Sequence, residues 1–401
     1  MSENSTIRQS RFSLLTRIWA TREYRTTLLL MILTSLGFSS AFPLISIYLV
    51  RDLGAGLSTA GLFVTCEALP GLFAGVLIGR WSDRWRSRLP FLRSAMLWVA
   101  TGWLIMIVSF TPWLVIAVGA MFLSVGGLLM AQMFAMLQDS MRRNGETQPE
   151  LITTIVRTGW SFGWVFGPLA GSAMASQAGI RATFIAAACL YVCGLLLLRG
   201  LGTADPAAAH TPEKKAPHGR TNWPLLVFAG LCAMAVSGQA IRNTYLPIHV
   251  IAHLGGSIRT FGTIMAVSPL VELVAMPLAG LLSQRFAIGR IIAVGLALAA
   301  AEYLLVASST TVWQLYLSQA MDAWVVAVVM GLGLAYAQRL SPNSPGAANG
   351  IFFSSFNVSF VLGGLVGSGG VPLLGVPHIF LLPAVLCAVS WVAFLILDRA
   401  T

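Results

Sequence analysis

Apolar stretches long enough to cross a lipid bilayer recur along nearly the whole chain, with short polar breaks between them. A helix needs about 20 apolar residues to span the hydrocarbon layer. The pattern predicts twelve spanning helices, at residues 26–50, 57–79, 91–110, 113–137, 150–175, 180–199, 223–250, 258–280, 289–309, 312–337, 346–370 and 378–397. We therefore expect an all-α integral membrane protein with both termini on one side.

The composition supports this interpretation. Charged residues make up only 10% of the 401 residues, 57% are hydrophobic, and the mean hydropathy is +0.80. A water-soluble domain of this length needs more charge over its surface, so soluble classes are excluded. The five cysteines fall inside apolar spans without metal-ligand or disulfide spacing. We expect no metal site and no cofactor.

The net charge of +11 is explained by topology. Lys and Arg concentrate in alternate polar breaks, within 8–25, 80–93, 142–143 and 199–220. The positive-inside rule places these breaks, and with them the N- and C-termini, in the cytoplasm. Because the cations are spread over loops and form no basic domain, we expect no nucleic-acid partner.

The two halves of the chain repeat each other. Residues 201–222 form a long polar, Ala- and Pro-rich stretch, which predicts a linker. The predicted organisation is an N-terminal segment 1–25, a six-helix bundle 26–200, the linker 201–222 and a second bundle 223–401. Two parallel six-helix pseudo-repeats place substrate between the halves, near mid-membrane. Residues match at an offset of 201 (Leu53 with Leu254, Gly54 with Gly255, Gly61 with Gly262, Gly79 with Gly280, Arg84 with Arg285) and then of 200 (Trp113 with Trp313, Gln138 with Gln338, Gly163 with Gly363, Gly167 with Gly367).

The loop after the second span carries a recognisable motif. The sequence from Gly79 to Arg88 resembles the cytoplasmic loop signature of the major facilitator superfamily, although Arg86 and Ser87 depart from it. The resemblance implies a gate formed by Gly79, Asp83, Arg84 and Arg88. A carboxylate there can accept hydrogen bonds from a neighbouring helix N-terminus and from arginines, and so latch the inner gate. The alternative is that these residues only anchor the loop at the headgroups.

Further segments resemble the bacterial sugar efflux transporters of that superfamily. They are Met130–Met136, Arg157 with Trp164–Pro168, Leu246–Ile248 running into Leu254-Gly255, and Gln338 with Pro345–Ala348. Gly163–Gly171 also resembles the fifth-helix Gly-Pro motif of the antiporter branches, for which plain helix packing is an equal explanation. The resemblance implies the major facilitator fold and a bacterial inner-membrane location, and we expect a monomer.

Charged residues inside spans are candidates for function because they are costly in a bilayer. We predict proton coupling by Glu67, Glu272 and Asp322. For Glu67, a protonated carboxyl engaged in helix packing is an equal alternative. Arg157 and Glu272 lie at about 13 and 12 Å from the cytoplasmic ends of their spans by helical rise, so they can pair across the halves. Glu302 is expected in a peripheral helix, with a structural role or an outer-cavity contact.

Sugar binding needs planar hydrogen-bonding groups and an aromatic face. The predicted substrate-binding set is Gln132, Arg157, Trp160, Gln239, Arg242, Asn243, Gln319, Asp322, Trp324 and Asn357. The same side chains also suit an amphiphilic drug.

These features predict a secondary transporter that exports a small polar solute, a sugar or glycoside, by proton-coupled alternating access. The partners are then the substrate, protons and the lipid bilayer. A multidrug/proton antiporter is the alternative, followed by a proton-coupled uptake symporter. The sequence contains no nucleotide-binding loop and no nucleophile with a base beside it. We therefore expect neither an ATP-driven pump nor an enzyme.

Overall fold

The computed structural model describes residues 16–82, 88–146, 149–201, 222–342 and 344–400, with the backbone alone at 73–82, 150, 345 and 346. Within this part the chain forms twelve long helices and no strand. In chain order they are α1 Arg22–Asp52, α2 Leu57–Ser82, α3 Leu89–Ile107, α4 Pro112–Arg143, α5 Pro149–Ala178, α6 Ile180–Arg199, α7 Trp223–His253, α8 Ile258–Leu282, α9 Ile288–Ala307, α10 Val312–Leu340, α11 Pro345–Leu374 and α12 His378–Ala400.

The all-α membrane architecture predicted from the sequence is confirmed. Ten of the helices in the described part are long and apolar enough to cross a membrane. The other two are α2, whose assessed apolar stretch is Leu57–Leu72, and α5. Helix α5 carries Arg157 and several hydroxyl side chains, as expected for a helix that lines an internal surface.

Several helices extend past the apolar stretches that predict them. Helix α4 continues to Arg143, six residues beyond the predicted end at 137. Arg142 and Arg143 in its last turn interact favourably with the carbonyl end of the helix dipole. The helix stops just before Gly145, which adopts a left-handed backbone conformation with φ of +58°. Helix ends therefore depend on charge and turn residues, and hydropathy alone does not find them.

The same local structures recur 201 residues apart. Helix α1 ends in a π-helical segment at Tyr48–Asp52, and α7 ends in one at His249–His253. Each is followed by a glycine in the left-handed region, Gly54 with φ of +66° and Gly255 with φ of +65°. A side chain is strained in this conformation, so the sequence repeat has a backbone cause here.

Within each half the equivalent helices pack closely through glycines. Helix α1 packs on α5, and α7 packs on α11. A Cβ atom at Gly163 would lie 2.6 Å from the backbone nitrogen of Leu36, and one at Gly363 would lie 2.8 Å from Cβ of Ala240. Small residues allow such close approach between membrane helices. The glycine pattern predicted as packing therefore has that role in both halves.

The halves contact each other through α2 with α11 and α5 with α8. We call the side that contains residues 16 and 400 the terminal side, and the opposite side the distal side. The closest contacts lie on the distal side, where a Cβ at Gly61 would lie 2.7 Å from the Ser368 nitrogen. Arg259 Nε donates to Ser176 Oγ at 2.8 Å, and Tyr245 Oη donates to the Leu57 carbonyl at 3.4 Å. The halves are therefore joined at their distal ends.

Candidate functional site

A buried charge cluster lies inside the second half. Arg242 on α7 pairs with Asp322 on α10 at 2.7 Å, from Nη2 to Oδ1, and with Glu302 on α9 at 3.3 Å, from Nη1 to Oε1. The three side chains are at most 4% exposed. A charge is costly in an apolar interior unless it is paired and hydrogen-bonded. The cluster therefore holds three helices together and is sensitive to any change in its charge.

Neutral polar groups complete the shell around Asp322. Gln239 Nε2 donates to Asp322 Oδ1 at 2.7 Å, and Ser268 Oγ on α8 donates to Oδ2 at 2.6 Å. Arg242 Nη2 also donates to Gln239 Oε1. Gln239 and Arg242 are three residues apart, and side chains at this spacing share one face of a helix. Ser268 is a member of this site that the sequence did not indicate.

Two donors in this region lack partners in the described part of the chain. They are Nε of Arg242 and Nε2 of Gln319, and both atoms are buried. Gln319 stands three residues before Asp322, on the same face of α10. Buried donors without partners are uncommon in native structures. The pair is therefore available to acceptors on a ligand or on water.

The cluster extends toward the first half through Glu272 and Arg157. Glu272 on α8 interacts electrostatically with both Asp322 and Arg157. Arg157 lies on α5, which packs against α8, and its side chain is exposed. We call the resulting alignment the charged line. It runs from the first half into the second through Arg157, Glu272, Asp322, Arg242 and Glu302.

The predicted direct pair between Arg157 and Glu272 is not formed in this conformation. Among the described residues, no ion pair within 4.0 Å joins the two side chains. Glu272 is partly buried, and it interacts with the charge of Arg157 over a longer distance. The contacts between the two helices explain this. Helices α5 and α8 are in closest contact near Ser172, Ser176 and Arg259, at their distal ends.

Gln132, predicted to bind substrate, contacts the first half's own gate region. Its Oε1 accepts a hydrogen bond from Arg88 Nη1 at 3.0 Å, and Arg88 Nε pairs with Asp139 at 2.9 Å. Of the four predicted gate residues, Arg88 is the one whose side chain the structure describes. Its contacts link the start of α3 to α4. The backbone of Gly79 is helical, while Asp83 and Arg84 lie outside the described residues.

The remaining predicted residues divide by burial. Asn243 is buried beside Arg242, and Trp160 and Trp324 are partly buried against the core. Asn357 on α11 is exposed. Glu67 on α2 is partly buried and forms no hydrogen bond or ion pair with the described side chains; it interacts electrostatically with Tyr191 on α6. The structure therefore does not join Glu67 to Asn357 or to the charged line.

Glu302 is the residue whose part in the site the sequence underestimated. The prediction gave it a structural role or an outer-cavity contact, but it pairs with Arg242. Helical rise alone does not find this pair, because it places Arg242 and Glu302 about 28 and 21 Å from the terminal ends of α7 and α9, a difference of more than one helical turn.

The family model of the Major Facilitator Superfamily matches residues 27–241 and 227–401. The chain belongs to this superfamily. A Deinococcus radiodurans protein provisionally named a sugar efflux transporter is 28% identical over 372 residues, covering 90% of this chain and 95% of its own. Sugar efflux transporter A of Dickeya chrysanthemi is 26% identical over 345 residues, covering 84% of this chain and 86% of its own. Among solved structures, the nucleoside transporter NupG superposes with a TM-score of 0.80 at 16% identity, covering 93% of this chain and 99% of that one.

Family and fold together make the chain a multi-pass membrane transporter. The charged line and the unpartnered donors then have a natural location, since transporters of this architecture bind substrate where their halves meet. In the described residues no group of three or more His, Cys, Asp and Glu side chains is arranged to hold a metal ion.

Proposed function

We propose that this superfamily member exports a sugar or glycoside from the cytoplasm in exchange for protons. It acts as a monomer in a bacterial inner membrane, with both termini cytoplasmic. The names of the Dickeya chrysanthemi and Escherichia coli relatives, both sugar efflux transporter A, support the substrate class. The positive-inside distribution of Lys and Arg supports the orientation.

The charged line is the observation that carries the proposal. Sugar hydroxyls both donate and accept hydrogen bonds, so they suit carboxylates beside the unpartnered donors of Gln319 and Arg242. Binding of a sugar hydroxyl at Asp322 and protonation within the charged line can then exclude each other, which couples the two fluxes.

The arrangement of the halves supports a direction of access. The contacts at Gly61 and Ser176 close the distal side, while Arg157 and Asn357 remain exposed further toward the terminal side. With the terminal side cytoplasmic, this conformation accepts substrate from inside. Alternating access then requires the distal contacts to separate and the terminal ends to approach.

Purified protein in liposomes tests the substrate class. Counterflow should be measured with radiolabelled mono- and disaccharides, and with tetraphenylphosphonium as a lipophilic drug probe. We expect saturable exchange of at least one sugar and acceleration of net sugar flux by an imposed pH gradient. Exchange of tetraphenylphosphonium without any sugar exchange would favour multidrug antiport. Sugar flux that runs with the proton gradient in the same direction would favour uptake symport.

The variant Asp322→Asn tests the role of the charged line in coupling. Removing one partner of a buried pair costs about 3–5 kcal/mol where the pair is dry, so the melting temperature should fall. Sugar flux driven by a pH gradient should fall by at least about tenfold, equivalent to 1.4 kcal/mol. Asp52→Asn is the control, because Asp52 is exposed at the end of α1. Flux and stability of Asp322→Asn equal to those of the control would contradict the role of Asp322.

A further inference from the structure

Glu302 has no part in the proposed exchange, yet its position in the cluster gives it a specific task. It is 1% exposed, and it lies on α9, which packs on α10 and α12 rather than on the first half. Two independent features of the structure bear on its protonation. One is the charge count of the line, and the other is the unequal supply of hydrogen-bond donors to the two acids.

The charge count leaves one acid without a cation. The charged line contains two arginines and three carboxyl groups. Two arginines can balance two of the three carboxylates, and Arg242 lies closer to Asp322, at 2.7 Å, than to Glu302, at 3.3 Å. An ionised carboxylate is costly in an apolar interior without its own counter-charge. One bound proton makes the line electrically neutral.

Hydrogen bonding indicates which acid holds that proton. Asp322 accepts from Arg242 at 2.7 Å, from Gln239 at 2.7 Å and from Ser268 at 2.6 Å. Within the described residues, Glu302 accepts one hydrogen bond, from Arg242 at 3.3 Å. Donors to a carboxylate stabilise its charged form, and charge-assisted bonds are short. Asp322 is therefore equipped to be ionised, and Glu302 is not.

We propose that Glu302 is the proton-carrying residue of this transporter and that it is protonated in the conformation closed on the distal side. Loss of its proton to water breaks one O–H bond and leaves a carboxylate. Arg242 Nη1 then closes from 3.3 Å to about 2.8 Å, the usual length of a charge-assisted bond. This shift draws Arg242 from Asp322 and frees Asp322 for the sugar. The use of the proton in transport rests on the proposed function, whereas the protonation itself does not.

The surroundings of Glu302 define which other groups can alter this proton. The titratable groups that interact with it are Arg242 from α7, Asp322 from α10, Cys387 from α12 and its own neighbour Tyr303. Arg242 is the one cation among these four. Gain or loss of the proton on Glu302 therefore acts most directly on Arg242, which also pairs with Asp322.

Infrared spectroscopy of the purified protein tests the protonation directly. A protonated carboxyl group gives a C=O stretching band that shifts in heavy water. Each protonated carboxyl group contributes its own component, so we expect Glu302→Gln to lose a component that the parent protein and Glu67→Gln both show at neutral pH. A spectrum of Glu302→Gln that equals the parent's in this region would overturn the proposal.

Thermal unfolding gives a second readout that a merely structural role would not produce. Gln is a neutral substitute for a protonated Glu, so Glu302→Gln should melt within about 1 °C of the parent. Asp322→Asn should melt clearly lower. The parent's melting temperature should decline with rising pH over the range in which folded Glu302 holds a proton that the unfolded chain releases, and Glu302→Gln should lose this part of the decline. Destabilisation of Glu302→Gln as large as that of Asp322→Asn, or failure to fold, would contradict a neutral Glu302. Neither measurement uses a sugar, so absence of sugar transport would leave both results standing.

Discussion

At the scale of single residues, the site depends on donors and acceptors that are out of balance. Arg242 pairs with two acids, but among the described residues neither its Nε nor the buried Nε2 of Gln319 has a partner. An unsatisfied buried polar atom costs about 1–3 kcal/mol of stability. Such a cost is usual where a protein binds a ligand, because the ligand supplies the missing partner.

Gln319→Leu separates stability from binding at this position. Leu is similar in size and removes the unpartnered amide, so the melting temperature should stay equal or rise by about 1 °C, equivalent to about 1 kcal/mol. Sugar affinity should fall about tenfold, the equivalent of one lost hydrogen bond. The measurements are thermal unfolding and titration of the sugar identified by counterflow. Gln314→Leu is the matched control, because Gln314 caps the start of α10 on the exposed distal side. Unchanged affinity in Gln319→Leu would remove Gln319 from the binding site.

At the scale of helices, the fold was largely predictable and the contacts between helices were not. Hydropathy finds the spans, because a bilayer requires about 20 apolar residues of each. The offset of 201 finds the equivalence of Gly54 and Gly255, whose backbone conformation requires glycine. Side-chain partners do not follow from these patterns. Gln132 was predicted to line the cavity because it is a polar residue in an apolar span, but it accepts a hydrogen bond from Arg88. A hydropathy profile does not show which side chains an arginine can reach.

The distal contact between helices makes a prediction for glycine substitutions. Gly61 and Gly262 each lack room for a methyl group, since a Cβ would lie 2.7 Å from Ser368 nitrogen and 2.5 Å from the Pro168 carbonyl oxygen respectively. Gly61→Ala and Gly262→Ala should therefore hold the distal side apart. We expect Ser176→Cys to react several times faster with a membrane-impermeant maleimide in these backgrounds, after the five native cysteines are replaced. Gly230→Ala is the control, because nothing lies within 4 Å of its Cβ position. Equal labelling in all three would show that these glycines do not control closure.

At the scale of the whole molecule, the charged line joins the half interface to the interior of the second half. Sequence reasoning identified four of its members, because each is a charge in an apolar span. It gave Glu302 a lesser role because α9 is peripheral in the fold, and peripheral helices mostly face lipid. The structure adds a contact that this expectation did not include. Arg242 lies between α9 and α10, so a residue on the outer helix contacts the same cation as Asp322 on the inner one.

Arg157 and Glu272 lie where the charged line meets the first half, and they lead to a prediction about the movement of the two halves. Arg157 and Glu272 are not paired while the distal side is closed, and closing the terminal side brings α5 and α8 together at their level. We therefore expect the pair to form only in the opposite conformation. Arg157→Gln and Glu272→Gln should each slow sugar exchange, and the double variant should slow it less than the product of the two single effects. The measurement is sugar counterflow in liposomes by the parent, both single variants and the double variant. Strictly multiplicative effects would mean that the two residues never meet during the cycle. A double-cysteine version, with Arg157→Cys and Glu272→Cys and the five native cysteines replaced, should crosslink more in the Gly61→Ala background than in the Gly230→Ala control. That order would tie the charged line to the movement of the two halves. Equal crosslinking in the two backgrounds would mean that distal opening does not drive terminal closure.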